Sequence, residues 1–213
     1  MAKTARATRA GADLRRLAAE AATCQACDLY RDATQTVFGR GAADARFLLL
    51  GEQPGDQEDK VGEPFVGPAG RILDKALADV GLGRDDVYLT NAVKHFKWTA
   101  KGKRRIHQRP SAREMAACRP WLEGEMAGTD PAVIVVLGAT AGQALFGSKF
   151  RVGAARGQVL DYESRAVVAT IHPSAVLRVA EPADRDREYA GLMADLRRAV
   201  EVMGAEARGE RER

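Results

Sequence analysis

The run Ala132-Val-Ile-Val-Val-Leu-Gly138 narrows the possible folds more than any other part of this 213-residue chain. It is uncharged, rich in Val and closed by Gly, which predicts a short strand buried on both faces. Such a strand needs helices above and below it. Three further runs read as strands: Arg46-Phe-Leu-Leu-Leu-Gly51, Val87-Tyr-Leu-Thr-Asn91 and Ala166-Val-Val-Ala-Thr170. Helical patterns separate them. Ala69 to Val80 carries Ile72, Leu73, Ala76, Leu77 and Val80 at helical spacing and is stopped by Gly81. Ser111 to Glu125 opens with Glu114 three residues after a Ser cap, the spacing of a capping box. Asp13 to Ala22, Ala139 to Phe146 and Ala183 to Met203 read as the remaining helices. Strands alternating with helices imply an α/β fold, a single-domain three-layer sandwich around a mainly parallel central sheet. The domain is expected over residues 11–204, between a flexible N-terminus (1–10) and a charged C-terminal tail (205–213). Ligands in such sheets bind beyond the carboxyl ends of the strands. Four places qualify: Gly51 to Asp56, Asn91 to His95, Gly138 to Thr140, and Ile171 to Ser174.

Composition sets looser bounds. Hydrophobic residues make up 46%, enough for a sizeable core. The net charge of +4 permits a nucleic-acid partner without demanding one. No apolar stretch follows the basic start, and the longest one, Ala132 to Gly147, is broken by Gly, Gln and Thr. A soluble, cytoplasmic, monomeric chain with no membrane partner is expected. Three cysteines cannot all pair, so reduced thiols or metal ligands are expected.

Four constellations carry chemistry. Cys24-Gln-Ala-Cys27 is a CxxC pair, with the third cysteine far away at Cys118. A four-coordinate metal or cluster site needs a fourth ligand; His95, just past the second strand, suits it because imidazole can replace thiolate on cluster iron. An idle pair and a Cys118 buried as a small hydrophobe fit the same spacing. Next, Gly51-Glu-Gln-Pro-Gly-Asp-Gln-Glu-Asp-Lys60 and Gly62-Glu-Pro-Phe-Val-Gly67 read as tight loops. Their backbone N–H groups could hold a carbonyl or anion, and Phe65 could stack on a base or simply anchor the loop. Third, Lys101, Lys103, Arg104, Arg105 and Arg109 place five cations in nine residues around His107. Such a run is either a solvated loop or a phosphate-contacting segment with a possible nucleophile inside it. Last, His172-Pro-Ser174 stands at a strand's carboxyl end, where a histidine is either catalytic or a cap.

Taken together, these segments resemble the family-4 uracil-DNA glycosylases. The likeness rests on the CxxC, Gly51-Glu-x-Pro-Gly with Pro64-Phe-Val-Gly67, Thr90-Asn-Ala-Val-Lys94, Ala117-Cys-Arg-Pro120 and His172-Pro-Ser174, in that order from Cys24 to about Leu177. It implies a [4Fe–4S] cluster on Cys24, Cys27, His95 and Cys118. Three departures from the ordinary pattern are Gln53 in place of a small residue, His95 in place of a cysteine, and the extra Lys103-Arg-Arg-Ile-His107 segment. All three resemble the UdgX subgroup, whose inserted-loop histidine bonds covalently to the abasic sugar.

That resemblance implies roles. Phe65 stacks on uracil, Asn91 reads its edge, and the Gln53 region and Asp56 contribute to binding. His172 stabilises the departing base, His107 attacks the sugar, and Glu52 orients His107. Asp59 and Asp56 hold the inserted loop through Arg104 or Arg105. The partner implied is uracil-containing DNA, single strands preferred, with a nucleoid-associated location. Two other readings remain: a turnover glycosylase whose loop only grips phosphate, and a cluster-bearing single-strand DNA-binding module without activity.

Overall fold

Each apolar run alternates between two cores. In the computed structural model, which describes residues 2–208, Phe47 and Leu49 of β2 (Phe47–Gly51) face one cluster while Leu48 and Leu50 face the other. β6 (Val133–Leu137) divides likewise, Val133, Val135 and Leu137 against Ile134 and Val136. A strand buried on both faces has no polar side to show, which is why these runs lack a period of two.

The sheet has six strands in the order β1 (Arg40–Gly41), β3 (Val87–Asn91), β2, β6, β8 (Arg165–Thr170) and β7 (Val159–Tyr162). The inner four are parallel, and β1 and β7 are antiparallel edges. One core packs α3 (Pro68–Asp79) and α8 (Pro182–Arg208) on the sheet through Leu73, Leu77, Leu192 and Leu196. The other packs α1 (Ala2–Ala21), α4 (Ala112–Thr129) and α5 (Ala139–Phe146) through Leu14, Leu122, Met126 and Leu145. Leu14 and Leu17 lie against Gly128 and Gly124, where an added Cβ would stand 2.8 and 2.5 Å from Leu carbons. This is the expected three-layer α/β sandwich with a mainly parallel sheet.

Short elements complete the chain: α2 (Asp56–Val61), α6 (Val152–Ala155), α7 (Ser174–Arg178), and a separate ribbon of β4 (Trp98–Lys101) and β5 (Arg104–His107). The four expected strands and the helices between them are present, with ends shifted by a few residues. α1 reaches back to Ala2 from the expected Asp13, through the segment expected to be flexible, and α8 runs to Arg208. Residues 209–213 of the charged tail lie outside the described residues. Among the described residues no helix is long and apolar enough to cross a membrane.

β2 is the switch point of the sheet. The chain leaves it for β3 on one side, and β6 and β8 follow on the other. The carboxyl ends of β2, β3, β6 and β8 therefore open onto one cleft.

Candidate active site

That cleft has a volume of about 950 Å³ and is lined by Glu52, Phe65, Asn91, His107, Gly138 and His172 among others. All four expected strand ends thus meet with the inserted segment. Asn91 ends β3 and is 3% exposed. Gly51 beside it has no room for a side chain: a Cβ there would stand 2.2 Å from Asn91 Oδ1 and 2.6 Å from Phe65 Cζ. The Phe65 ring is buried over this floor, not held out on an open loop. Its φ of +56° is a conformation that Phe adopts only when its surroundings impose it. Arg84 donates to the Phe65 carbonyl, and the same carbonyl lies so close to Gly70 that no Cβ fits. Glu58 joins the two glycine-rich loops, accepting from Gly55 N at 3.1 Å and Gly67 N at 2.8 Å.

His172 stacks beside Phe65, with ring centroids 6.3 Å apart. Its Nδ1 receives the Ser174 N–H at 3.1 Å and lies 2.8 Å from Ser174 Oγ. That hydroxyl oxygen accepts from Arg178 at 2.9 Å, so its own proton is free for the imidazole. Two donors on Nδ1 leave the neutral ring's proton on Nε2. Burial, aided by Arg178 and His107, lowers the His172 pKa to about 4. The ring is a neutral hydrogen-bond donor at pH 7.

His107 closes β5 and meets Glu52 across the cleft, Nε2 to Oε1 3.5 Å. Its ring lies 6.1 Å from that of Phe96. Burial lowers its pKa against the opposing pull of Glu52, and Arg178 lowers it further. Half-exposed, it lines the cleft as a neutral imidazole.

The ribbon that delivers His107 is held from three sides. Arg105 pairs with Asp56 (Nε to Oδ1, 2.6 Å) and with fully buried Asp59 (2.6 Å), and lies over the rings of Phe96 and Trp98. Thr34 adds its N–H and hydroxyl to Asp59. Gln53 spans the ribbon's two feet, donating to Lys97 O and Gln108 O and accepting from Lys97 N. The structure decides the open choice between Arg104 and Arg105 and changes the expectation for Asp56. Arg104 is exposed and joins neither aspartate; Arg105 alone does. The Asp56 carboxylate, expected at the substrate, is taken by Arg105 and Lys60, Lys60 contributing most to its lowered pKa. Gln53 faces the ribbon with its whole amide, leaving only its backbone for the cleft.

The four residues expected to hold a cluster are Cys24, Cys27, His95 and Cys118. Among the described residues no three His, Cys, Asp or Glu side chains converge on a single ion. A cubane is larger and asks each ligand to reach a different iron. Cys118 is buried with Cys27 packed near it, and Cys24 Sγ accepts from Trp121 Nε1 at 3.2 Å. His95 is the informative residue. Thr36 donates its hydroxyl to Ala21 O, so its oxygen accepts from His95 Nε2–H at 2.9 Å. The lone pair is therefore on Nδ1, which is buried without a partner. A buried imidazole with one nitrogen donating and the other unpaired has the arrangement of a metal ligand. The four residues fit the group.

Residues 38–197 match the uracil DNA glycosylase superfamily. The chain belongs to that superfamily. It is 39% identical over 157 residues to the type-4 uracil-DNA glycosylase of Thermotoga maritima, covering 73% of this chain and 78% of that protein. The type-4 uracil-DNA glycosylase of Archaeoglobus fulgidus is 37% identical over 166 residues, 74% and 80% of the two chains. A type-5 uracil-DNA glycosylase from Pyrobaculum aerophilum is 32% identical over 151 residues, 63% of each.

Sequence reasoning missed several residues of this superfamily member's site. Arg178 follows Ser174 by one helical turn, a spacing visible in the sequence once Ser174 is placed on a helix. Lys94 and Glu125 form a buried pair (2.5 Å) in which Lys94 also holds Thr90 Oγ1 and the Asn91 carbonyl. No local pattern pairs residues 31 positions apart.

Proposed function

We propose that the protein excises uracil from DNA, single strands preferred, and bonds His107 to the sugar it exposes. The observation that carries this reading is a neutral His107 delivered by the ribbon into the same cleft as Asn91 and His172. Membership of the superfamily and the type-4 relatives support the excision step.

Extracting a nucleotide from the stack costs a few kcal/mol, least in a single strand. Phe65 offers a face to the uracil, and the Asn91 amide can accept from N3–H and donate to O4. Cytosine reverses that pattern and leaves the amide unpaired, a penalty of about 1–3 kcal/mol. As the C1′–N1 bond breaks, its electron pair leaves with uracil. Nε2–H of His172 donates to the charge growing on O2, an interaction stronger in the transition state than before it. The sugar becomes cationic at C1′. Glu52 stabilises that charge and orients His107, whose lone pair forms the new C–N bond. The other ring nitrogen then gives its proton to solvent, and the uracil anion takes one up. A fixed imidazole has the advantage of effective molarity over water.

Cys24, Cys27, Cys118 and His95 would hold the [4Fe–4S] cluster, whose contribution is to pin these segments beside the ribbon. Through Asn91 to His95 the uracil-reading amide and a cluster ligand share one short segment.

The decisive experiment mixes the protein with a labelled single-stranded oligonucleotide bearing one uracil and resolves it on a denaturing SDS gel. A shifted band that needs uracil and disappears in His107→Ser is the expected outcome. Released uracil without a shifted band would establish the turnover reading. Neither product from brown, folded protein would leave a DNA-binding module.

A further inference from the structure

We infer that the outward face of the β4–β5 ribbon, with Lys101, Arg104 and Ile106, is a docking surface for the backbone of single-stranded DNA beside the cleft. The inference rests on the proposed action on DNA and specifies where the strand runs.

The register of the ribbon separates two faces. Trp98 stands opposite His107 and Ala100 opposite Arg105, while Thr99 stands opposite Ile106 and Lys101 opposite Arg104. Side chains directly opposite each other share a face, and alternate residues change face. The first set is bound to the body: Trp98 Nε1 donates to Asp32 O, Arg105 reaches Asp56 and Asp59, and His107 meets Glu52. The second set is exposed throughout, including Ile106 at 37%. Lys103 extends it in a two-residue turn, where Gly102 has a φ of +60°.

Charge identifies the occupant. None of Lys101, Lys103 and Arg104 has an ion-pair partner among the described residues, whereas many exposed cations elsewhere, such as Lys60, Lys75 and Arg119, are paired within their own helix. A ribbon needs Arg105 to stay in place but has no structural use for the cations on its other side. Three uncompensated cations around one exposed aliphatic side chain fit phosphates with an unstacked base or sugar between them. Position agrees: Arg104 is three residues from His107, about 10 Å along the strand. A chain whose nucleotide occupies the cleft passes within reach of this face.

The test measures binding to a uracil-free single-stranded oligonucleotide by fluorescence anisotropy across a salt series, which keeps covalent capture out of the readout. Lys101→Gln/Arg104→Gln is compared with Arg197→Gln/Arg198→Gln, which removes the same charge from exposed positions on α8. Equal melting temperatures establish that each variant is folded; should the ribbon pair melt early, Arg104→Gln alone takes its place. The expected result is a log–log salt slope shallower by about 1.4 for the ribbon pair, two lost single-strand phosphate contacts, with the α8 pair unchanged. A wild-type slope in the ribbon variant, or an equal change in both, would overturn the inference. DNA binding absent from wild type at every salt concentration would overturn it together with the reading beneath it.

Discussion

His107 and His172 are both held neutral by burial, and the two can be told apart by pH. An imidazole with its ordinary pKa is half protonated at pH 6.5. Because the His107 pKa lies lower, covalent capture should still exceed half of its plateau rate at pH 6.5 and fall only at more acidic pH. A capture midpoint above 6.5, read from initial rates of adduct formation, would contradict a nucleophile held neutral in the cleft. His172 makes a prediction about stability. Its folded pKa of about 4 lies below the unfolded value of 6.5, so between these limits the unfolded chain binds more protons. Its contribution is complete above pH 6.5 and is lost as pH falls towards 4, about 3 kcal/mol in all. Denaturant titrations of His172→Asn should show a correspondingly flatter pH dependence.

The ribbon shows why some elements escape a reading along the chain. Its basic run has no apolar alternation, and half of its fastening comes from Asp56, Asp59 and Gln53, some 50 positions away in sequence. Gln53 and the inserted segment look like two separate departures from the ordinary pattern; in space they are one, because the amide bridges the insert's feet. β7 and β8 are joined by Glu163 and Ser164, both with positive φ, in a turn that usually carries Gly or Asn. The usual marker of a hairpin is missing there. α2 reads as a loop because Gly and Pro precede it, yet Glu58 returns to cap Gly55. Three predictions belong to the ribbon. Arg105→Ala leaves Asp59 buried without its cation, so unfolding should show a loss of about 3 kcal/mol. The same variant should release uracil while forming little adduct on SDS gels, since only His107 depends on the ribbon's position. Gln53→Ala should move capture in the same direction at a smaller cost, about 1–2 kcal/mol.

Across the molecule, the cleft depends on packing at both ends of the sheet. α8 is tied to β8 by Arg156 and Thr170, which share Asp195 Oδ2 at 2.7 Å each. At the other side, Lys94 and Glu125 tie α4 to the segment that carries Asn91 and His95. Loss of the proposed cluster should loosen that segment first. His95→Ala is expected to remove the broad absorbance near ~400 nm and to lower the melting temperature. A colourless His95→Ala with wild-type stability would show that His95 is no ligand.

The class of fold, the four central strands and their helices, and the residues at the strand ends follow from the sequence itself. Burial on both faces, capping and Gly stops are encoded within a few residues of where they act. Only the tertiary structure decided that Arg105 and not Arg104 anchors the ribbon, that the Gln53 side-chain amide bridges the ribbon's feet, and which nitrogen of His95 and of His172 carries the proton. Those outcomes depend on partners distant in the chain: a carboxylate folded against one arginine, a hydroxyl already committed to a carbonyl. Hydrogen bonds made across such distances leave no period in the sequence to read.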